Sequence, residues 1–177
     1  MPADRFVDDL NAQIAREFGA SQQYLAVAVW YDGQTFPRLA GLFYSQALEE
    51  RDHALMMVKY LLDSGVRVTV PGTAEPKGDF ADVVEPVRVA LEQERKVTEQ
   101  ISELAKTARE EGDYLSEQFM HWFLKEQVEE VDLFSSLLAV AERSRERPNE
   151  IEEYIVREGI GGAADDPTAP PVAGSAS

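Results

Sequence analysis

The sequence contains no cysteine, which excludes a disulfide framework and any thiolate-held metal. Positive charge is also short. Seventeen Lys and Arg stand against 33 Asp and Glu, a formal net charge of −16, which argues against nucleic acid and anionic membranes as partners, since both select clustered basic residues. The balance suits cations as partners, although an acidic surface chiefly keeps a protein soluble. No apolar run approaches the roughly 18 residues of a membrane span, and Met1–Leu10 lacks the apolar stretch of a signal peptide. A cytoplasmic protein is expected. At 177 residues the chain suits one domain, large enough to bury its own core without staples.

What the chain has is helical periodicity. A first helix is predicted over Asp4–Tyr31 on the stripe Leu10, Ile14, Glu17, Ser21, Tyr24, Ala28, Tyr31, ended by the turn Asp32-Gly33-Gln34. The second follows with Thr35 as N-cap and Pro37 in its first turn, on the stripe Leu39, Leu42/Phe43, Gln46, Glu50, His53/Ala54, Met57, Leu61, stopping at Ser64-Gly65. Residues 66–85 carry no helical period and contain Pro71-Gly72, Pro76 and Gly78. Pro86 opens a third helix, which ends at Glu111-Gly112. The fourth runs from Asp113 or Tyr114 to about Arg143 on the stripe Phe119, Phe123, Glu126/Gln127, Glu130, Phe134, Leu137, Ala141. A short fifth helix fits Glu150–Glu158, with Asn149 as N-cap, Glu152 at the capping-box position and Gly159 as terminator.

Loop lengths constrain the topology. Turns of a few residues after the first and third helices make two antiparallel hairpins. The connection of some 20 residues between them can span a helix of about 42 Å, at about 3.3 Å per extended residue. The predicted fold is all-α: a four-helix bundle with one long crossover and a short C-terminal fifth helix. Residues 1–160 form the domain. Residues 161–177, rich in Gly, Ala, Pro, Asp and Ser, are expected to be a disordered tail. The fifth helix's apolar face (Ile151, Tyr154, Ile155) is expected to find nothing left to cover on a finished bundle.

Each long stripe is interrupted near its midpoint by polar residues: Glu17, Glu50 with His53, Glu94, and Gln127 with Glu130. The third helix is the plainest case, since Val87, Ala90, Leu91, Val97, Ile101, Leu104 and Ala108 place Glu94 in a core slot. A lone ionised carboxylate there costs several kcal/mol or more, so it must be protonated, paired or bound to a cation. In an antiparallel bundle the midpoints meet at one level. Glu50 and His53 form an E-x-x-H pair on one helix face. Four carboxylates together repel, and two multivalent cations neutralise them. Hard oxygen donors with one imidazole suit iron or manganese, and can also hold zinc. Any one interruption has a bland explanation, a misjudged helix phase or a satisfied core histidine. Four that coincide do not share one.

The stretches IAREFGASQQYLAVAVWY, FYSQALEERDHALMMVKYLLD, LEQERKVTEQ and EQFMHWFLKEQVEEV resemble a bacterial non-haem ferritin of the kind found in actinobacteria, over most of the chain. The resemblance implies a ferritin-like bundle whose ferroxidase centre holds one iron on Glu17, Glu50 and His53, and a second on Glu50, Glu94 and Glu130. Glu49, Glu126, Glu129 and Glu130 match a third, weaker iron site. Gln127 is expected to hydrogen-bond near the centre, and Tyr24 to supply an electron or a hydrogen bond. Relatives with a second E-x-x-H on the fourth helix differ here, where Gln127 and Glu130 stand instead, so the site is asymmetric and its second iron labile. Bacterioferritins place a haem-ligating Met directly after the bridging Glu. Arg51 occupies that position, so no haem is expected.

The function implied is oxidation of Fe(II) by O₂ or H₂O₂ and storage of the ferric product as mineral inside a 24-subunit cage of this chain, with the fifth helix packing around the four-fold axes. Asp113, Glu117 and His121, spaced i, i+4, i+8 away from the bundle stripe, become candidates for an entry channel at the three-fold axes. The tail fits a cage lining, a docking peptide for an outer compartment shell, or an end without a role. Two further readings remain at the level of sequence. A di-iron oxygenase or peroxidase would need a substrate cavity. A non-catalytic helical scaffold would use its polar interior only to fix register.

Overall fold

The computed structural model describes residues 1–161 and 166–175. Among them are five helices: α1 (Asp4–Gly33), α2 (Pro37–Asp63), α3 (Glu85–Glu110), α4 (Tyr114–Arg143) and α5 (Asn149–Glu158). None is long and apolar enough to cross a membrane. α1–α2 and α3–α4 are antiparallel hairpins closed by three-residue turns, and the two hairpins pack into the expected bundle. The connection 64–84 runs up the outside of α1. Thr69 N donates to Asn11 Oδ1 (3.2 Å), Lys77 N to Gln23 Oε1 (2.9 Å), Gln23 Nε2 to Lys77 O (2.9 Å), and Tyr31 Oη to Val83 O (2.7 Å). Asn11 to Tyr31 is about 30 Å of helix, so the crossover traverses the bundle as its length required.

Two apolar clusters fill the interior. One contains Tyr24, Val27, Tyr31, Leu39, Phe43, Val87, Phe134 and Leu137. The other contains Phe6, Leu10, Ile14, Met57, Leu61, Ile101, Met120 and Phe123. Each fully buried side chain of this size contributes about 1.5–3 kcal/mol. Between the clusters, at the middle of every long helix, lies a polar layer.

Three capping expectations are corrected. Thr35 does not cap α2. It lies in the turn with φ 64°, a left-handed conformation that a β-branched residue adopts only under constraint, and Phe36 takes the cap position without a side-chain bond. The open N–H groups of α2 are met from α5, where the Glu152 carboxylate accepts from Arg38 N (2.9 Å) and Leu39 N (2.8 Å). Glu152 is therefore no capping-box residue of its own helix, and Asn149 is the first residue of α5 with Pro148 as its cap. A carboxylate at a helix N-terminus gains both hydrogen bonds and the helix dipole, and so outcompetes the local arrangement. Nor is the face of α5 idle. Ile151 and Ile155 are buried in the first cluster, with Tyr154 packed against it, so α5 closes the end of its own bundle.

The expectation of a disordered tail falls partly on residues 162–165 and 176–177, outside the described residues. Of the remainder, Ala169 and Val172 pack against the second cluster, Ala173 N donates to Leu55 O (3.3 Å), and Asp166 Oδ2 accepts from Trp122 Nε1 (3.1 Å) and Lys125 Nζ (3.3 Å).

Candidate metal centre

Every long helix contributes to the polar layer because each turns its stripe inward at mid-length. Glu17 comes from α1, Glu50 and His53 from α2, Glu94 from α3, Gln127 and Glu130 from α4. All are buried. Ligand atoms of Glu17, Glu50 and His53 lie within 4.8 Å of one another, a compactness that suits a single ion. His53 Nδ1 is 3.3 Å from Glu50 Oε2.

The other half of the layer is more open. Glu94 accepts from the Tyr24 hydroxyl and from Gln127 Nε2 (3.0 Å). Gln127 Nε2 also reaches Glu94 O (3.2 Å) and Thr98 Oγ1 (3.3 Å). Glu130 Oε1 has only Gln46 Nε2, at 3.4 Å. The structure thus places all seven residues expected at the centre in one layer, but converges only Glu17, Glu50 and His53 to metal-binding distance among the described residues. Of the expected third-site residues, Glu49 is linked through Gln46 Nε2 (3.0 Å) toward Glu130, Glu126 is half-buried, and Glu129 is exposed.

The electrostatics follow from burial among like charges. Desolvation, followed by the charges of Glu94 and Glu17, pushes the Glu50 carboxyl well above the ordinary carboxylate range. Burial raises Glu94 to about 7 against the opposing hydrogen bonds of Tyr24 and Gln127. Burial and the charge of Glu49 raise Glu130 to about 9. Burial, with Glu94 and Glu50 nearby, holds the Tyr24 phenol protonated well beyond its usual range. No Lys or Arg pairs with Glu17, Glu50, Glu94 or Glu130 among the described residues. Glu17 Oε2, Glu130 Oε2 and Gln46 Oε1 are buried without any hydrogen-bond partner. Unpaired buried oxygens are costly, and oxygen-rich donor sets of this kind fit hard cations.

Apolar walls close the layer. Tyr24, Phe43 and Phe134 pack ring to ring at 5.6–5.7 Å on one side. On the other, Trp122 and Phe123 stand edge-on to His53 at 5.6 and 5.7 Å.

Residues 7–144 match the family described as a ferritin-like domain. The chain belongs to the ferritin family. It is 53% identical to a ferritin named BfrB from Mycolicibacterium smegmatis over 167 residues, covering 94% of this chain and 92% of the relative. It is 32% identical to a bacterial non-heme ferritin from Staphylococcus aureus, covering 87% and 93%. In fold, this ferritin superposes on an open pore ferritin from the archaeon Archaeoglobus fulgidus with a TM-score of 0.84, at 24% identity, covering 92% of this chain and 99% of the other.

Sequence reasoning gave no role to Gln13, Gln46, Thr98 or Trp122. Gln13 Nε2 donates to Glu17 Oε1 at 2.7 Å, and Thr98 Oγ1 donates to Glu94 O at 2.8 Å. Gln13 and Gln46 each stand four residues before a buried glutamate, on the same helix face. An amide one turn ahead of a core carboxylate was the available signal.

The three channel candidates at the start of α4 differ in their surroundings. Asp113 caps α4, its carboxylate accepting from Ser116 N (3.1 Å), Ser116 Oγ (2.5 Å) and Ala3 N (3.1 Å). Glu117 is largely buried, and its Oε1 accepts from Arg109 Nε (2.8 Å) and Nη2 (2.6 Å). His121 is exposed, with Nε2 3.6 Å from Glu117 Oε1. The three-residue turn between α3 and α4 brings Arg109 onto that face, which helix phase alone does not reveal.

Proposed function

We propose that this ferritin oxidises Fe(II) at the polar layer between its two apolar clusters and stores the ferric product as mineral within a closed assembly of its own subunits. The observation that carries the reading is a buried set of four carboxylates and one imidazole without a cationic side chain to neutralise them, two of whose carboxylate oxygens lack any partner. Divalent iron supplies the missing charge. One ion fits Glu17, Glu50 and His53. A second, held by Glu94, Glu130 and Glu50, would sit in the looser half.

Two Fe(II) each give up one electron, and a two-electron acceptor takes both. O₂ with two protons becomes H₂O₂, or H₂O₂ with two protons becomes two waters. The chain's part is to place the ions side by side, exclude bulk water with its aromatic walls, and balance the charge gained as each iron becomes trivalent. Carboxyls poised high in pKa release their protons when the ions enter. Tyr24, whose hydroxyl donates to Glu94, would hold that carboxylate at the looser half by its hydrogen bond. Glu49, Glu126 and Glu129, with Glu130, would hold a third and weaker-bound iron beside the centre. Leu25, Val29 and Leu48 are exposed along the α1–α2 hairpin, apolar surface that suits burial against other copies of the chain. A cage of 24 subunits accommodates it.

The test is aerobic addition of Fe(II) to recombinant apoprotein, followed by stopped-flow absorbance, with particle size measured by size-exclusion chromatography. Rapid oxidation with many ferric ions retained per large particle is expected. A monomer, or oxidation no faster than in buffer, would overturn the reading.

A further inference from the structure

Gln13 is fully buried, and its amide is satisfied at both ends. Nε2 donates to Glu17 Oε1 at 2.7 Å and to Gln100 Oε1 at 3.3 Å, while Oε1 accepts from Arg16 Nη1 at 3.0 Å. The orientation of an amide is decided by its neighbours. Turned the other way, Gln13 would aim its carbonyl at the Glu17 carboxylate and the Gln100 carbonyl and its NH₂ at the Arg16 guanidinium, three repulsions in place of three hydrogen bonds. Arg16 is exposed, so a surface residue fixes the polarity of a buried one. The consequence falls on Glu17. One of its oxygens is engaged by the amide, while the other, Oε2, is buried and receives no amide or hydroxyl hydrogen, and the Glu50 carboxyl lies within hydrogen-bond reach of Glu17.

We infer that Gln13, oriented by Arg16, is a positioning residue that holds Glu17 by Oε1 and leaves Oε2 as its only ligand atom, so that Glu17 binds a cation in the Glu17–Glu50–His53 half through one oxygen. The inference rests on the iron-centre reading above and deepens it. A carboxylate held this way must strain or break its 2.7 Å bond to Gln13 before it can turn both oxygens to the ion, which favours binding through one and keeps room for a further ligand. Orienting bonds to ligands of this kind carry about 10–100-fold in metal affinity.

The test uses Co(II), which is not oxidised under these conditions and reports its ligand geometry in its visible spectrum. Oxygen-free apoprotein is titrated with Co(II), following binding by calorimetry and geometry by absorption. Gln13→Leu is expected to weaken binding at the His53-containing position by about 10–100-fold and to change the spectrum, as Glu17 becomes free to use both oxygens. Arg16→Leu, a surface change that leaves the core intact, is expected to act in the same direction by a few-fold, since the amide orientation is then held from one side only. Should Gln13→Leu fail to fold, Arg16→Leu decides the matter. Unchanged affinity and spectrum in the variants overturn this inference alone. Wild-type protein that takes up no Co(II) at this position overturns the iron-centre reading and this inference with it.

Discussion

Two acidic clusters in this ferritin have opposite electrostatic construction. At mid-bundle, Glu17, Glu50, Glu94 and Glu130 are buried together with the amides of Gln13, Gln127 and Gln46, the Tyr24 hydroxyl and the His53 imidazole, and with no Lys or Arg among the described residues. At the α3–α4 end, Glu117 receives a forked pair of bonds from the Arg109 guanidinium, and Asp113 is consumed by capping. The end carries its counter-charge within the chain, whereas the middle has no Lys or Arg paired with its carboxylates among the described residues. The difference is a way to tell a site from a structural cluster without any bound ion. Burial of charge is common to both, and only the missing counter-charge is diagnostic.

The largest effect that can break this comparison is loss of the carboxylate shared between the two halves of the layer. Glu50→Ala is expected to slow Fe(II) oxidation by about 100-fold or more, beyond what outer-shell changes cost, with helical content and assembly size unchanged. Stopped-flow traces at the wild-type rate would remove the catalytic claim altogether.

Next comes stability against pH. Glu50, Glu94 and Glu130 hold their protons to higher pH in the folded protein than ordinary carboxyls do, Glu94 to about 7 and Glu130 to about 9. The unfolded chain releases the same protons near pH 4–4.5. Between those limits the folded state binds more protons, so rising pH favours unfolding, by up to about 1.4 kcal/mol per pH unit for each such carboxyl. The stability is fully present below the unfolded value and is lost as pH climbs toward 9. Thermal melts of apoprotein should therefore fall from pH 5 to 9. Saturating Zn(II), which binds the ionised carboxylates, should flatten or reverse the trend. An apoprotein melting point that holds steady or rises over that window would contradict the uncompensated charge.

The third effect separates the two halves of the layer itself. The Glu17–Glu50–His53 atoms are already within 4.8 Å, while Glu94 is turned toward Tyr24 and Gln127, and Glu130 has one long bond. The preformed half requires less rearrangement, so it should fill first in a crystallographic metal-soak series, by about 10-fold or more in apparent affinity. First occupancy on the Glu94–Glu130 side would reverse the assignment of strong and weak halves.

How much of this was legible beforehand depended on the range of the interaction. The midpoint interruptions were readable because helix phase is local: Glu94 occupies a core slot whatever surrounds it. The crossover was readable because chain length sets reach, and its anchors at Asn11 and Gln23 follow from that path. The caps were misread because their partners come from distant elements. Glu152 lies 113 positions from Leu39 and leaves its own helix to cap α2. The same bond explains why Ile151 and Ile155 are buried rather than idle. At the site, Gln13 escapes a reading by stripe because the stripe of the first helix runs through Leu10, Ile14 and Glu17 and leaves Gln13 at its edge. Arg109 was missed because its contact with Glu117 depends on the tightness of the α3–α4 turn.

That contact supports the smallest and most discriminating prediction. If iron enters this assembly where three copies of the α4 start meet, Glu117 faces the path together with its own counter-ion, and the two should have opposite effects. Glu117→Ala leaves the Arg109 guanidinium unpaired, adding positive charge where cations must pass, and is expected to slow iron uptake a few-fold at low Fe(II). Arg109→Ala leaves the carboxylates free and is expected to speed uptake by a similar factor. Exposed charge is screened within about 10 Å at 0.1 M salt, so both effects should shrink as ionic strength or Fe(II) concentration rises. Oxidation by centres already loaded with iron should stay at the wild-type rate in both variants. The double variant should lie between the two single ones. Uptake unchanged in both would mean that iron enters elsewhere. Slowing in both would mean that the pair matters for holding the α3–α4 end together, a structural role that the thermal melt of each variant would then register.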